Sequence, residues 1–173
     1  MDKKLLLCCA LFSVVTWSQT PKGFKSYPAT DSWNFICENY ALTGTAGIQI
    51  AKTEKGGIIK IFIETTNPTY IISGMLYLFL KDNTIITCVD RAWRETDGKT
   101  ITSYYLFSAV EISKLKNTEI ESIHFNIKGK PTGFTSQIGN FTAVNKKQFF
   151  STAFDKTRKT YDTATEIRSL YKN

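Results

Sequence analysis

Between Tyr70 and Phe107 three apolar runs are separated by short polar ones. Tyr70–Leu80 is followed by Lys-Asp-Asn-Thr, then by Ile85–Val89, a polar stretch from Asp90 to Gly98, and a last run ending at Phe107. Apolar, β-branched and aromatic runs joined by turn residues predict an antiparallel meander. In the first run Met75, Tyr77 and Phe79 share one face of a strand, and Leu76, Leu78 and Leu80 the other. Both sets are large and apolar, so the pattern predicts burial on both faces, under a second sheet or a helix.

Strict alternation recurs on either side of the meander. Ile59, Ile61 and Ile63 alternate with Lys60 and Glu64, and Ile48 alternates with Ile50 across a turn at Thr53–Gly57. Together they predict a hairpin with a defined inside. Ile123, Phe125 and Ile127 face inward, with Ser122, His124 and Asn126 outward. The stretch from Trp33 to Leu42 fits a first strand or a short helix, and Phe134–Val144 fits an irregular last strand.

Two segments carry helical signals. Ser108 and Glu111 have the spacing of a capping box, which predicts a short helix near 109–116. Asn145 to Gln148 offers a second possible cap. Beyond it Phe149, Phe150, Ala153, Phe154, Thr157, Tyr161, Ala164, Ile167 and Tyr171 fall at spacings of three and four, predicting a long amphipathic C-terminal helix. Thr163–Glu166 offers a separate restart. The expected fold is therefore mainly β: an antiparallel sheet or sandwich of about six strands, one short helix and a long C-terminal one. A pure two-sheet sandwich is the alternative.

Composition adds a location. Met1-Asp-Lys-Lys precedes an apolar run from Leu5 to Val15, with small residues at Thr16 and Ser18. That run is too short to span a bilayer and has the length of a signal-peptide core. Residues 1–18 are read as a signal peptide, 19–32 as an extended lead-in, and 33–173 as one β-rich domain. The stretch before Cys8 is too short for a lipoprotein signal. No later segment has the length and apolarity of a transmembrane helix. The expected location is periplasmic or secreted.

Of 4 cysteines, Cys8 and Cys9 leave with the signal. In an exported chain the remaining pair, Cys37 and Cys88, predicts a disulfide stabilising the fold by about 4 kcal/mol through its long loop, with two buried free thiols as the alternative.

The formal charge of +7 rises mainly from lysines spread along the chain, densest at Lys146-Lys147 and from Lys156 to Lys159. On a helix face these suit an anionic glycan or lipid headgroups. Export argues against nucleic acid. With His124 the only histidine, a histidine-based metal or nucleophile system has little to draw on. Phosphate-loop, Cys-x-x-Cys and Gly-x-Ser-x-Gly motifs are absent from the sequence. Glu95 with Asp97, or Glu119 with Glu121, are the carboxylate pairs that acid–base work would use.

No nucleophile, base and orienting group stand at recognisable spacing. The expected function is thus a non-catalytic binding or structural module of the cell envelope, without metal or cofactor. Its partner is an unknown protein or an anionic glycan. The alternatives are a carrier of a small apolar ligand and a carboxylate-based hydrolase. The candidate binding residues are Asp90, Arg91, Trp93, Arg94 and Asp97. Two arginines flank an aromatic there, in a segment expected to project as a loop from the sheet end; the alternative reading is a solvated hairpin loop in which Trp93 folds back and its neighbours form weak surface ion pairs.

Overall fold

The computed structural model describes residues 24–40, 44–131, 136–147 and 159–172. Among these residues nine strands form one sheet: β1 (Trp33–Glu38), β2 (Thr45–Thr53), β3 (Gly56–Glu64), β4 (Ile71–Leu80), β5 (Ile85–Cys88), β6 (Arg94–Asp97), β7 (Thr100–Ser108), β8 (Ile120–Lys128) and β9 (Gly139–Val144). Helix α1 (Ala109–Asn117) joins β7 to β8, and α2 (Thr163–Leu170) follows β9. The order across the sheet is β5-β4-β8-β9-β1-β2-β3-β7-β6. Every pairing is antiparallel.

The sheet curls until β4 lies against β7, although the two are not paired by backbone hydrogen bonds. Side chains bridge the seam. The Tyr105 hydroxyl donates to the Gly74 carbonyl at 3.3 Å, and Arg94 Nε donates to the Ile72 carbonyl at 2.7 Å. The register of β4 on β8 shifts between Ser73 and Tyr77, a bulge that bends the strand into the curl.

Curling turns one face of each strand into a shared interior. Phe35, Ile48, Ile61, Leu78, Ile86, Tyr105, Ile123 and Ala143 belong to a single buried cluster drawn from eight of the nine strands. The isoleucine alternation of β3 and β8 is what feeds it. Helices α1 and α2 pack on each other and add Ile112, Leu115 and Ile167 to that interior.

The capping box forms as the sequence predicts. Ser108 Oγ accepts from the Glu111 N–H at 3.3 Å, and Glu111 accepts from the Ser108 N–H at 2.6 Å. Asn145, 3% exposed, holds the approach to α2. Its amide donates to the carbonyls of Ile120 and Tyr161 and accepts from the Tyr161 N–H. That side chain ties strands to a loop.

A second, smaller cluster lies on the outside of the sheet. Phe24, Ala51, Ile58 and Tyr104 form it, with Ala29, Trp93 and Leu106 packed against them. The lead-in makes this possible by running back along β2. Lys52 N–H donates to the Pro28 carbonyl, and Thr30 N–H to the Ile50 carbonyl.

Several expectations change. Nine strands replace about six, because β6 and the separate strands β1 and β9 were not resolved by pattern. The long C-terminal helix is not found. Among the described residues the helix there has 8, starting where Asp162 accepts from the Thr165 N–H. Tyr161 precedes that cap and stacks its ring on Phe35, 6.0 Å between centroids. Phe149, Phe150 and Phe154 lie outside the described residues, as does the expected signal peptide.

The expected disulfide is absent: Cys37 and Cys88 are buried free thiols. Cys37 pairs across with Ala143 of β9 and Cys88 with Leu76 of β4, so three strands of the sheet stand between β1 and β5. Each thiol packs as a small apolar group in the interior. Burial pushes the Cys37 thiol up to about 12 and raises that of Cys88 well above its ordinary value, the charge of Glu111 adding to the second.

Candidate binding face

The Asp90–Gly98 segment does not project as a loop. Arg94–Asp97 is the edge strand β6, paired with Thr100–Ser103 of β7 through a two-residue turn at Gly98-Lys99. Gly98 has φ of 56°, the first position of a tight hairpin turn. Gly98 followed by Lys99, with glycine at the first central position of a two-residue turn, was the sequence signal for this hairpin.

Three of the five candidate residues are engaged within the fold. Asp90 accepts from the Gly74 N–H at 2.7 Å and from the Ala92 N–H at 2.8 Å, and forms an ion pair with Arg94. Arg94 also reaches the Ile72 carbonyl, so the pair clasps β4 to the start of β6. Trp93 is half-buried against the outer cluster, and its carbonyl accepts from the Tyr104 N–H at 3.0 Å. The neighbouring Glu95 accepts from the Tyr104 hydroxyl. Burial, and then that carboxylate, push the Tyr104 phenol above its usual range. Arg91 and Asp97 are exposed.

A different surface stands out on the other half of the sheet. Leu76, Leu78 and Leu80 are buried as expected, but the opposite face of β4 is open. Met75 is 51% exposed and Tyr77 37%. The expectation of burial on both faces fails because no described element covers this side; the curled sheet itself is the only core the strand needs.

Register defines the face position by position. Tyr77 stands between Thr87 of β5 and His124 of β8, and His124 stands opposite Thr142 of β9. Phe79 stands between Ile85 and Ser122, with Val144 beyond. Ser73 faces Asn126, which faces Asn140. None of these outward positions carries a formal charge; Glu121 and Lys128 stand only at the two ends of β8. Ile85 and Val89 are exposed at its margin.

Within the face lies a hollow of about 340 Å³ lined by Met75, Tyr77, His124, Asn126, Asn140 and Thr142, with Phe125 and Phe141. The His124 ring sits on Phe79, 4.2 Å between centroids and 33° between planes. The Tyr77 hydroxyl contacts Met75 Sδ at 3.3 Å. Asn126 Nδ2 donates to Asn140 Oδ1 at 2.8 Å. Asn126 Oδ1 and Ser73 Oγ are buried and have no hydrogen-bond partner.

The sequence held a signal for this face that was read differently. The outward set Ser122, His124 and Asn126 is uncharged, and so is the set Met75, Tyr77 and Phe79. Two neighbouring strands thus present no charge at these outward positions.

Comparison of this chain with protein-family models, with curated proteins and with solved structures finds no match. Among the described residues no helix is long and apolar enough to cross a membrane.

Proposed function

We propose that this chain is an exported, non-catalytic binding module whose contact surface is the uncharged outer face of β4, β5, β8 and β9. One observation carries the reading. On a chain with net charge +7, a continuous sheet face exposes Met75, Tyr77, Ile85 and Val89 and carries formal charge only at its margins, Lys128 at the end of β8 and Glu38 of β1 beside Thr142. An apolar patch rimmed by polar groups marks a binding surface. Its Met and Tyr are residue types enriched in interface cores.

The alternatives find less support. Trp33, Phe35, Tyr70 and Tyr105 fill the interior, where a carrier would hold its ligand. One carboxylate of each pair that hydrolysis would use is engaged elsewhere. Glu95 accepts from Tyr104, and Glu119 from Thr163 Oγ1 and the Ala164 N–H.

Co-sedimentation tests the reading. The chain lacking residues 1–18, fluorescently labelled, is expected to be retained by the envelope fraction of its source cells. The double variant Met75→Glu/Ile85→Glu should lose at least about tenfold in retention, equal to 1.4 kcal/mol. Arg91→Ala/Asp97→Ala should retain it. Undiminished retention of the glutamate variant, with its circular dichroism unchanged, would reject the proposal.

A further inference from the structure

We infer that β5, one edge of the sheet, pairs antiparallel with β5 of a second copy of this chain. The pairing uses the backbone of the strand and stands whatever the outer face binds.

The two edges of the sheet differ. β6 at one edge reads Arg94-Glu95-Thr96-Asp97, and charged side chains on an edge strand discourage pairing with another chain. β5 at the other reads Ile85-Ile86-Thr87-Cys88, continues to Val89 and carries no charge. Ile85 is 51% exposed and Val89 60%, with Thr87 exposed between them. β7 comes near β5, yet no backbone ladder joins the two.

Register says which backbone groups of this edge stand free. Leu80 N–H donates to the Thr84 carbonyl, and from there the pairs run Phe79–Ile85, Leu78–Ile86, Tyr77–Thr87 and Leu76–Cys88. Hydrogen bonding alternates along an antiparallel pair, so Ile86 and Cys88 turn their N–H and carbonyl groups toward β4. Those of Ile85, Thr87 and Val89 turn the other way, where no described strand pairs with them. A row of donors and acceptors at strand spacing is the complement of another extended chain.

The residues of the edge select a second copy as that chain. Turned about Thr87, the segment lays Ile85 opposite Val89 of its counterpart, and Thr87 opposite Thr87. Threonine pairs and pairs of apolar β-branched residues both stabilise antiparallel strands. Ile86 and Cys88 keep to their own interior, 2% and 1% exposed. Copies of a chain with net charge +7 repel each other, so close contact needs an uncharged stretch such as this one. The same reversal sets the Arg91 end of one copy toward the turn carrying Asp82 of the other, so that unlike charges meet. Such a two-fold contact closes on itself as a dimer. The stretch from Ile85 to Val89 is short, so the dimer is weak, with a dissociation constant on the order of 100 μM.

Sedimentation velocity of the chain lacking residues 1–18 tests this between about 10 μM and 1 mM, a tenfold range on each side of that constant. A reversible shift from monomer to dimer is expected. Thr87→Pro removes an N–H that faces away from β4, leaves the ladder to β4 intact, and should weaken the dimer about tenfold or more. Ile85→Lys places a charge on the edge and should do the same. Both variants should keep the circular dichroism of the parent. Amide hydrogen exchange of the parent reads the register without any substitution. Exchange at Ile85, Thr87 and Val89 should slow severalfold at the higher concentration, while Ile86 and Cys88 are protected at both. A chain still monomeric at the higher concentration overturns the inference. So does a dimer that both folded variants leave intact, or one in which Ile85, Thr87 and Val89 exchange as fast as in the monomer. Protection of those amides only on adding envelope extract, in a chain that stays monomeric, would make the occupant another protein's strand and also overturn it. Sedimentation uses the purified chain alone, so a failure here and a failure of envelope retention are read separately.

Discussion

Ile58 and Tyr77 both point out of the curled sheet, yet the first is 3% exposed and the second 37%. The difference lies in what covers them. On the β2–β3–β7 side the lead-in lays Phe24 and Ala29 over Ala51, Ile58 and Tyr104, and Trp93 joins from the start of β6. Lys60 extends its stem so that Nζ stands over the Phe24 ring at 5.7 Å. On the β5–β4–β8–β9 side no described element does the same for Met75, Tyr77, Ile85 and Val89. Outward apolar residues thus serve two ends in one sheet. On one half they form a second layer of core with the chain's own segments, and on the other they stay exposed.

The largest test of this contrast is on the covered half. Ile58→Ala removes atoms packed under Phe24, and should cost about 3 kcal/mol in urea unfolding. A cost below about 1 kcal/mol would show that the lead-in lies loosely, and that the two halves differ little.

The clasp between the halves comes next. Arg94→Ala frees the Ile72 carbonyl and strips a cation from Asp90, both partly buried. The expected loss is about 2 kcal/mol, without change in envelope retention. A folded variant of wild-type stability that fails to bind would return the site to the Asp90–Asp97 segment.

Pattern alone carried part of this. The inward alternations of β3 and β8, the capping box at Ser108 and the antiparallel class were legible because each depends on neighbours in the sequence. The exposure of Tyr77 was not. A period of two says which residues share a face, and whether that face is covered depends on segments far away in the chain. Trp93 shows the same limit from the other side. Flanked by arginines it reads as a surface anchor, yet it packs on a cluster seeded by Phe24. Asp90 and Arg94 are four residues apart and look like a loop pair, but the carbonyl and N–H groups they hold belong to β4. The C-terminal stripe misled for a local reason. Asp162 caps a new helix after Tyr161, and a spacing count passes over such a cap.

Alkaline pH tests whether the open half is tight beneath its surface. Cys88 sits under it on β5, and both thiols are raised in the folded state. The folded chain therefore holds their protons where the unfolded chain, with ordinary thiols, releases them. Stability should be flat below about pH 8.5 and fall as pH rises toward 12, by about 2 kcal/mol per thiol at pH 10. Tyr105 and Tyr171, raised to about 12 by burial, add to the fall at its upper end. Urea titrations at pH 7, 9 and 10 read the slope, and Cys37→Ala/Cys88→Ala should flatten it. Rapid labelling of Cys88 at pH 8 by a thiol reagent, with Cys37 untouched, would show the open half breathing by itself.

The smallest expected effect bears most directly on the contrast. Ile85 is 51% exposed and Val89 60%, so each already keeps much of its side chain in water. Replacing both by threonine retains β-branching, and with it the preference for an extended backbone. Little apolar area is removed from the folded state that the unfolded state did not also expose. Stability should then change by no more than about 0.5 kcal/mol. Retention by the envelope fraction should drop, since the same atoms are buried there only on contact with the partner. A loss of stability above about 1 kcal/mol would mean that this face is packed against something in the free chain, and the distinction between the two halves would collapse. Unchanged stability together with unchanged retention would confine the contact to the hollow around Tyr77 and Asn126.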